Sequence, residues 1–282
     1  MKKYIYIFFT FTFLFVIPAC LNMRKSDKKI LRDFKKNGLN GQVKFFDFEN
    51  KSIRYVVSKP IDKQKISILF VHGAPGSSTD FEDYLNDKEL NKLGNLISID
   101  RIGYGYSDFG NSQTSIQTQA KAIEKLIDII DTPFILVGWS FGGPIAGFVS
   151  LYKSKKIKHL ILLAPAISPE SERFFQIGKL AQSKWTKWMV PTLFVMAQEE
   201  KMMHVEELEK LKNKWQNLIV PTTYLHGSKD KLVPYEGNMN FVKKTFNDSI
   251  LNAKTIDGYG HIFPVTNSDI VKKEIVNILV KK

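Results

Sequence analysis

Cysteine is almost missing: the 282 residues hold one, Cys20. A lone thiol excludes an intrachain disulfide, a Cys-based metal site and a thiol nucleophile farther along the chain. Arginine is scarce too. Only Arg24, Arg32, Arg54, Arg101 and Arg173 stand among 41 basic residues, against 28 acidic ones, for a formal charge of +13. Base and phosphate readers favour the forked guanidinium, and no zinc-finger or RNA-recognition signature interrupts the chain. The charge therefore reads as biased lysine usage, densest at Lys153-Ser154-Lys155-Lys156-Ile157-Lys158, and no nucleic-acid partner is expected. There is no His-Glu-X-X-His and no Gly-Lys-Ser/Thr loop, and Gly103-Tyr104-Gly105 is followed by Asp108 where a dinucleotide fingerprint wants glycine. No metal and no organic cofactor are expected. Without a 20–50-residue period a solenoid is excluded. No apolar run reaches the ~20 residues of a spanning helix.

What is present begins at the N-terminus. Lys2 and Lys3 precede an apolar run, Tyr4 through Ile17, which Pro18 interrupts. The segment Ile17-Pro18-Ala19-Cys20 resembles the lipobox of bacterial lipoproteins. That resemblance implies a signal peptide over 1–19, cleavage before Cys20, a diacylglycerol thioether on Cys20, and an exported protein lipid-anchored to a bacterial membrane of the cell envelope. An ordinary signal peptide and an uncleaved membrane anchor are the alternatives.

Residues 20–41 are polar and lysine-rich and read as a tether, with a short helix around Ile30–Phe34. Val43–Phe48 and Ser52–Ser58 form a hairpin pattern. Short apolar runs at Ile66–Val71, Leu96–Asp100, Phe134–Gly138, Leu160–Ala164, Leu218–Leu225 and Ser249–Ile256 then alternate with helical spacing, as in Ile116, Ala120, Ile123 and Ile130. Helices are expected from Phe141 to about Tyr152 and over Asp269–Val280. Such alternation predicts an α/β protein with a mostly parallel central sheet and helices on both faces. The rhythm breaks between 167 and 217, which reads as a small helical cap inserted between two parts of one core, 42–166 and 218–282. Ligands of such sheets bind beyond the carboxyl ends of the strands.

Five motifs fall at those ends. Gly138-Trp139-Ser140-Phe141-Gly142 follows the run Phe134–Val137, where a strand-to-helix turn needs small residues two before and two after its apex. His72-Gly73-Ala74-Pro75-Gly76, Asp100-Arg101-Ile102-Gly103-Tyr104-Gly105-Tyr106-Ser107, His226-Gly227-Ser228-Lys229-Asp230 and Gly258-Tyr259-Gly260-His261 follow four other strands. In this order the set resembles the α/β-hydrolase superfamily, in its cap-bearing branch with a serine nucleophile, from about residue 43 onward. The resemblance implies Ser140 as nucleophile, Asp230 as acid and His261 as base. It also implies an oxyanion hole from the backbone N–H groups of Ala74 and Phe141. A serine hydroxyl attacks only once a base takes its proton, and the acid fixes the base's tautomer. Glu170 is the alternative acid, and Asp100 reads as structural. His72 and His226 are expected to orient loops, His159 and His204 to pack or lie at the surface. Serine at the apex argues against dehalogenases and epoxide hydrolases, which place aspartate there.

The cap segment is rich in Trp185, Trp188, Trp215, Met189, Met196, Met202, Met203, Phe174, Phe175 and Phe194. Methionine and aromatics line adaptable apolar pockets, so a hydrophobic acyl or alcohol pocket is expected beneath the cap, with Tyr104 at its rim. The expected activity is hydrolysis of a small or medium apolar carboxylic ester by a monomer. The rivals are a thioesterase, a proline-iminopeptidase-like amide hydrolase using Glu199, Glu200, Glu206 or Glu207 to hold an amine, and a catalytically silent binding lipoprotein.

Overall fold

The sheet is built from alternation. In Ser67–Val71 (β3) every residue is buried; Ile68 and Phe70 join one apolar layer, Leu69 and Val71 the other. Phe134–Trp139 (β5) divides the same way, with Ile135, Val137 and Trp139 on one face and Phe134 and Leu136 on the other. A strand apolar on both faces must be covered on both, which only helices of the same chain do here. The computed structural model describes residues 23–174 and 178–280. The expected signal peptide, Cys20 and Phe175 lie outside them.

Eight strands form one sheet in the order β1-β2-β4-β3-β5-β6-β7-β8. Gln42–Phe48 (β1) and Lys51–Val57 (β2) pair antiparallel, and β2 pairs antiparallel with Asn95–Ile99 (β4). From β4 onward all pairings are parallel, through β3, β5, Ile157–Leu163 (β6), Thr222–Gly227 (β7) and Leu251–Ile256 (β8). One layer is closed by Ile116–Ile130, Gly142–Tyr152 and Tyr235–Thr245. The other is closed by Asp27–Lys36 (α1), Glu82–Leu85 (α2), Lys88–Leu93 (α3) and, near the C-terminus, Ser268–Val280. In chain order the remaining α-helices are Ile116–Ile130 (α4), Gly142–Tyr152 (α5), the cap helices Gly178–Gln182 (α6) and Thr192–Lys212 (α7), then Tyr235–Thr245 (α8), Phe263–Thr266 (α9) and Ser268–Val280 (α10).

The α/β fold with its mostly parallel sheet is as the sequence predicts. Within the expected tether, the described part is docked rather than loose. Helix α1 buries Ile30 and Phe34 in the second apolar layer, and the Phe34 ring lies where any side chain at Gly41 would stand. Asp27 accepts from the Arg54 guanidinium at 2.8 and 3.0 Å, and Met23 offers its carbonyl to Ser77 Oγ at 2.6 Å. Arg24 stacks over the Tyr106 and Phe109 rings, 4.4 Å from each centroid. The N-terminal segment thus runs to the loops that follow β3 and β4. Strand order reverses at β3, which lies between β4 and β5, and a ligand crevice opens at such a switch point.

Candidate active site

Ser140 sits at the apex of the turn from β5 into α5, with φ +54°, in the left-handed region. A non-glycine residue is held there only when its surroundings over-determine the backbone. Here its N–H donates to the Leu163 carbonyl at 3.0 Å, and its carbonyl accepts from Gly143 at 2.9 Å and Ala166 at 3.2 Å. The neighbouring glycines are sterically obligatory. A Cβ on Gly142 would stand 2.2 Å from the Val71 carbonyl oxygen, and one on Gly138 2.5 Å from that of Gly142. A Cβ on Gly73 would stand 2.9 Å from the Ser140 Cβ and 3.5 Å from its Oγ, so the loop after β3 lies directly against this serine.

Asp230 follows β7 and is fixed by four donors. Oδ1 accepts from the Leu232 and Val233 N–H groups, each at 2.9 Å. Oδ2 accepts from His261 Nδ1 at 2.7 Å and His226 Nε2 at 3.1 Å. Burial pushes the carboxyl's pKa up, but the hydrogen bonds from His226 and His261 outweigh it and hold it well below the usual carboxylate range. With Nδ1–H committed to Asp230, Nε2 of His261 is the ring nitrogen left for a substrate proton. The His261 loop is pinned by the Trp139 indole N–H, which donates to the His261 carbonyl at 3.2 Å. His226 ties its loop together, as expected, by bonding the Val233 carbonyl at 3.1 Å, and it also shares an oxygen of Asp230, which its place in a His-Gly pair did not announce.

Neither the Ala74 nor the Phe141 N–H has an acceptor among the described residues, so both are available as donors. Ala74 packs with Phe141, Ala166 and Val233 as a small apolar floor. Behind it stands His72, whose Nε2 accepts from the Arg101 N–H at 3.0 Å. That leaves the ring proton on Nδ1, which donates to the Gly73 carbonyl at 2.7 Å. Burial, with the Arg101 charge adding to it, lowers the His72 pKa well below the ordinary imidazole value, so the ring is neutral. His204 is fully buried, so of the two roles expected for it the structure shows packing. It packs 4.0 Å from the Phe141 ring centroid and bonds the Ala166 carbonyl at 2.9 Å, and burial brings its pKa down to about 3. His159 is half-buried and bonds Thr223 Oγ1 at 2.9 Å, on β6 and away from these residues in the sheet.

The sequence misplaced other residues. Tyr104 is not at a rim: it is fully buried, and its hydroxyl donates to Glu200 at 2.7 Å. Trp215 packs into the main core beside Gly147 and Phe246 rather than under the cap. Met196 and Leu193 do face inward, against Tyr104, but Trp185, Trp188, Met189, Met202, Met203, Phe174 and Phe194 are exposed. A small cavity lies under α7, lined by Ile116, Gln119, Phe141, Ile145, Glu200 and His204. Glu170 is paired with Lys212 and Ser168 at the surface and does not bond His261. Asp100 is structural: it is buried and accepts from Arg54 at 2.9 Å, Ser78 N–H at 2.6 Å and Tyr106 N–H at 2.9 Å. The cap acids all have partners: Glu199 with Ser112 and Lys187, Glu200 with Arg101, Glu206 with Lys210, and Glu207 with the Ile116 N–H and Lys210. Among the described residues no cluster of three or more His, Cys, Asp or Glu could hold a metal ion.

A family model for the alpha/beta hydrolase fold matches residues 66–183. Together with the sheet order and the motifs at its strand ends, this gives the chain the α/β-hydrolase fold. Two curated relatives are each 28% identical. One is a probable 1-acylglycerol-3-phosphate O-acyltransferase of Oryza sativa subsp. japonica, matched over 163 residues, 54% of this chain and 39% of that protein. The other is a monoacylglycerol lipase of Xenopus laevis, matched over 165 residues, 56% of this chain and 48% of that protein. The matched regions thus span less than half the length of either relative. Among solved structures, a membrane phospholipase A described as a bacterial virulence factor has a similar fold. It superposes with a TM-score of 0.67 at 16% identity, covering 99% of this chain and 98% of the other.

Proposed function

We propose that the protein is a serine hydrolase that cleaves carboxylic esters of apolar acyl groups through an acyl-enzyme. The observation that carries this reading is the 2.7 Å bond from His261 to an Asp230 carboxylate held by three further donors, in a site with the left-handed Ser140. In the first half-reaction His261 Nε2 takes the Ser140 proton as Oγ attacks the ester carbonyl carbon. The tetrahedral oxyanion forms between the Ala74 and Phe141 N–H groups, which stabilise charge that the ground-state ester lacks. On collapse the bond to the alkoxide breaks, and His261 returns the proton to it, releasing an alcohol and leaving acyl-Ser140. Water then attacks with His261 again as base, and a carboxylic acid leaves. Asp230 stabilises the imidazolium throughout and stays ionised.

Lipid-type esters are the favoured class, because two relatives with lipid substrates in their names and a similarly folded phospholipase point that way. A thioester follows the same path. The peptidase reading loses its motive, since each cap glutamate that could hold an amine is already paired. The lipobox-like Cys20 belongs to the same proposal as a membrane anchor. The decisive experiment is fluorophosphonate labelling of wild type and Ser140→Ala, with a panel of monoacylglycerols, short esters, thioesters and aminoacyl amides. Expected are labelling of wild type alone, and a loss of at least about 10⁴-fold in ester turnover in the variant. Absence of Ser140-dependent labelling would leave the silent binding lipoprotein as the better reading.

A further inference from the structure

We infer that Arg101 and Glu200 are positioning residues: the cap helix α7, acting through the Arg101 guanidinium, grips the carbonyl of the Gly73–Ala74 peptide and so aims its N–H at the reacting centre. The inference rests on the oxyanion role proposed for Ala74.

The argument starts from one peptide plane. Carbonyl and N–H of a trans peptide point in opposite directions. The Gly73 carbonyl accepts from Arg101 Nη2 at 2.9 Å and from His72 Nδ1 at 2.7 Å. With both donors on that side, the Ala74 N–H is turned the other way, and the α-carbon of Gly73 lies against Ser140. Arg101 also donates from Nε to the His72 carbonyl at 2.9 Å. Its guanidinium thus spans two consecutive carbonyls of the loop, as its forked donors allow.

The far edge of the guanidinium belongs to the cap. Nη1 meets Glu200 Oε1 at 2.7 Å and Nη2 meets Oε2 at 3.1 Å. Glu200 is itself held by the Tyr104 hydroxyl at 2.7 Å and Gln119 Nε2 at 3.0 Å. Arg101, Glu200, Tyr104 and Gln119 are all buried, none more than 4% exposed. In such surroundings a charge-assisted bond to a carbonyl polarises the whole peptide and makes its N–H the stronger donor. Glu200 supplies the counter-charge that lets a guanidinium stay there. The cap thus reaches the Gly73–Ala74 peptide through Glu200, the only cap carboxylate bonded to Arg101 among the described residues.

A merely structural ion pair would change stability and leave chemistry alone, and the two are separable. The variants are Glu200→Gln, which keeps the side-chain shape, and Tyr104→Phe, which keeps the ion pair. Active sites are titrated with the fluorophosphonate so that rates refer to folded enzyme. The readouts are kcat and KM on an ester, and the affinity of a trifluoromethyl ketone, whose adduct places an oxyanion in the hole. For Glu200→Gln we expect kcat to fall roughly 10- to 100-fold with KM within about twofold. The ketone should weaken in step with kcat/KM, and the pH profile should not move. Tyr104→Phe covers the case in which Glu200→Gln does not fold, and should lose about threefold in both readouts. Lowered melting temperature with unchanged kcat and ketone affinity per titrated site in the folded variant would overturn the inference. Absence of Ser140-dependent labelling in wild type would instead overturn the hydrolase reading beneath it.

Discussion

Asp230 uses each oxygen twice, and this makes its substitution informative. Asp230→Asn keeps the shape but replaces one oxygen by an amide, so His261 loses its acceptor or takes the wrong tautomer. We expect kcat to fall on the order of 10⁴-fold with circular dichroism unchanged; a fall under tenfold would count against its role. Gly73→Ala tests the contact with Ser140, because the new methyl would stand 2.9 Å from the Ser140 Cβ. Ester turnover should drop at least about tenfold per folded molecule, since the methyl would push the Ser140 side chain out of its productive geometry. The sharp turn at Ser140 and the meeting of Asp230 with His261 were legible because each residue sits in a short motif whose spacing local backbone geometry dictates. The Arg101–Glu200 pair was not. Its members are 99 positions apart, and Glu199–Glu200 on a helix looks like any solvated acidic face. Tyr104 misled for the same reason: its hydroxyl is satisfied by a residue that only the tertiary fold brings near.

At the scale of elements, the pattern of strands was readable from alternation and from runs bounded by turn residues. Boundaries shifted where tertiary pairing decided them. β6 starts at Ile157 because Ile157 pairs with Phe134, and β7 starts at Thr222 because β8 and β6 both reach it there. Helix α1 shows what polarity conceals. Eight of its ten residues are charged or otherwise outside the core, yet Ile30 and Phe34 at i and i+4 fill a gap over the sheet. Phe34→Ala should cost about 3 kcal/mol or more, read from the midpoint of urea unfolding. The short turn Ser78–Phe81 carries a pH dependence. It is capped by Ser77 and by Asp80, whose carboxyl accepts from the Ser77 N–H at 3.2 Å. Burial raises the Asp80 pKa to about 7 against the opposing Ser77 bond. The folded chain then holds a proton that the unfolded chain releases near pH 4. Stability from this group falls as pH rises from about 4 to about 7 and is flat above. Asp80→Asn should remove that fall, gaining on wild type by at most about 4 kcal/mol across the window. Parallel pH–melting curves for the two proteins would refute it.

At the scale of the whole molecule, the cap leaves Trp185, Trp188 and Met189 exposed. No helix among the described residues is long and apolar enough to cross a membrane. The anchor proposed at Cys20 is tested by Cys20→Ala, which should move the protein from the membrane fraction to the supernatant with its esterase activity per molecule intact. Unchanged sedimentation with membranes would exclude lipidation as the cause of attachment. The fold was legible at this scale because motif order survives any loop length, whereas the site of the N-terminal segment was not, since nothing local tells a leash from a strap. That strap sets a distance. Met23 is already bonded to Ser77 in the loop after β3, so three peptide links separate a lipid on Cys20 from the active-site face. Fully extended they span about 11 Å. An enzyme anchored as proposed would have no swing: it would survey only the leaflet that carries its own anchor, and its turnover would follow two-dimensional substrate density rather than bulk concentration.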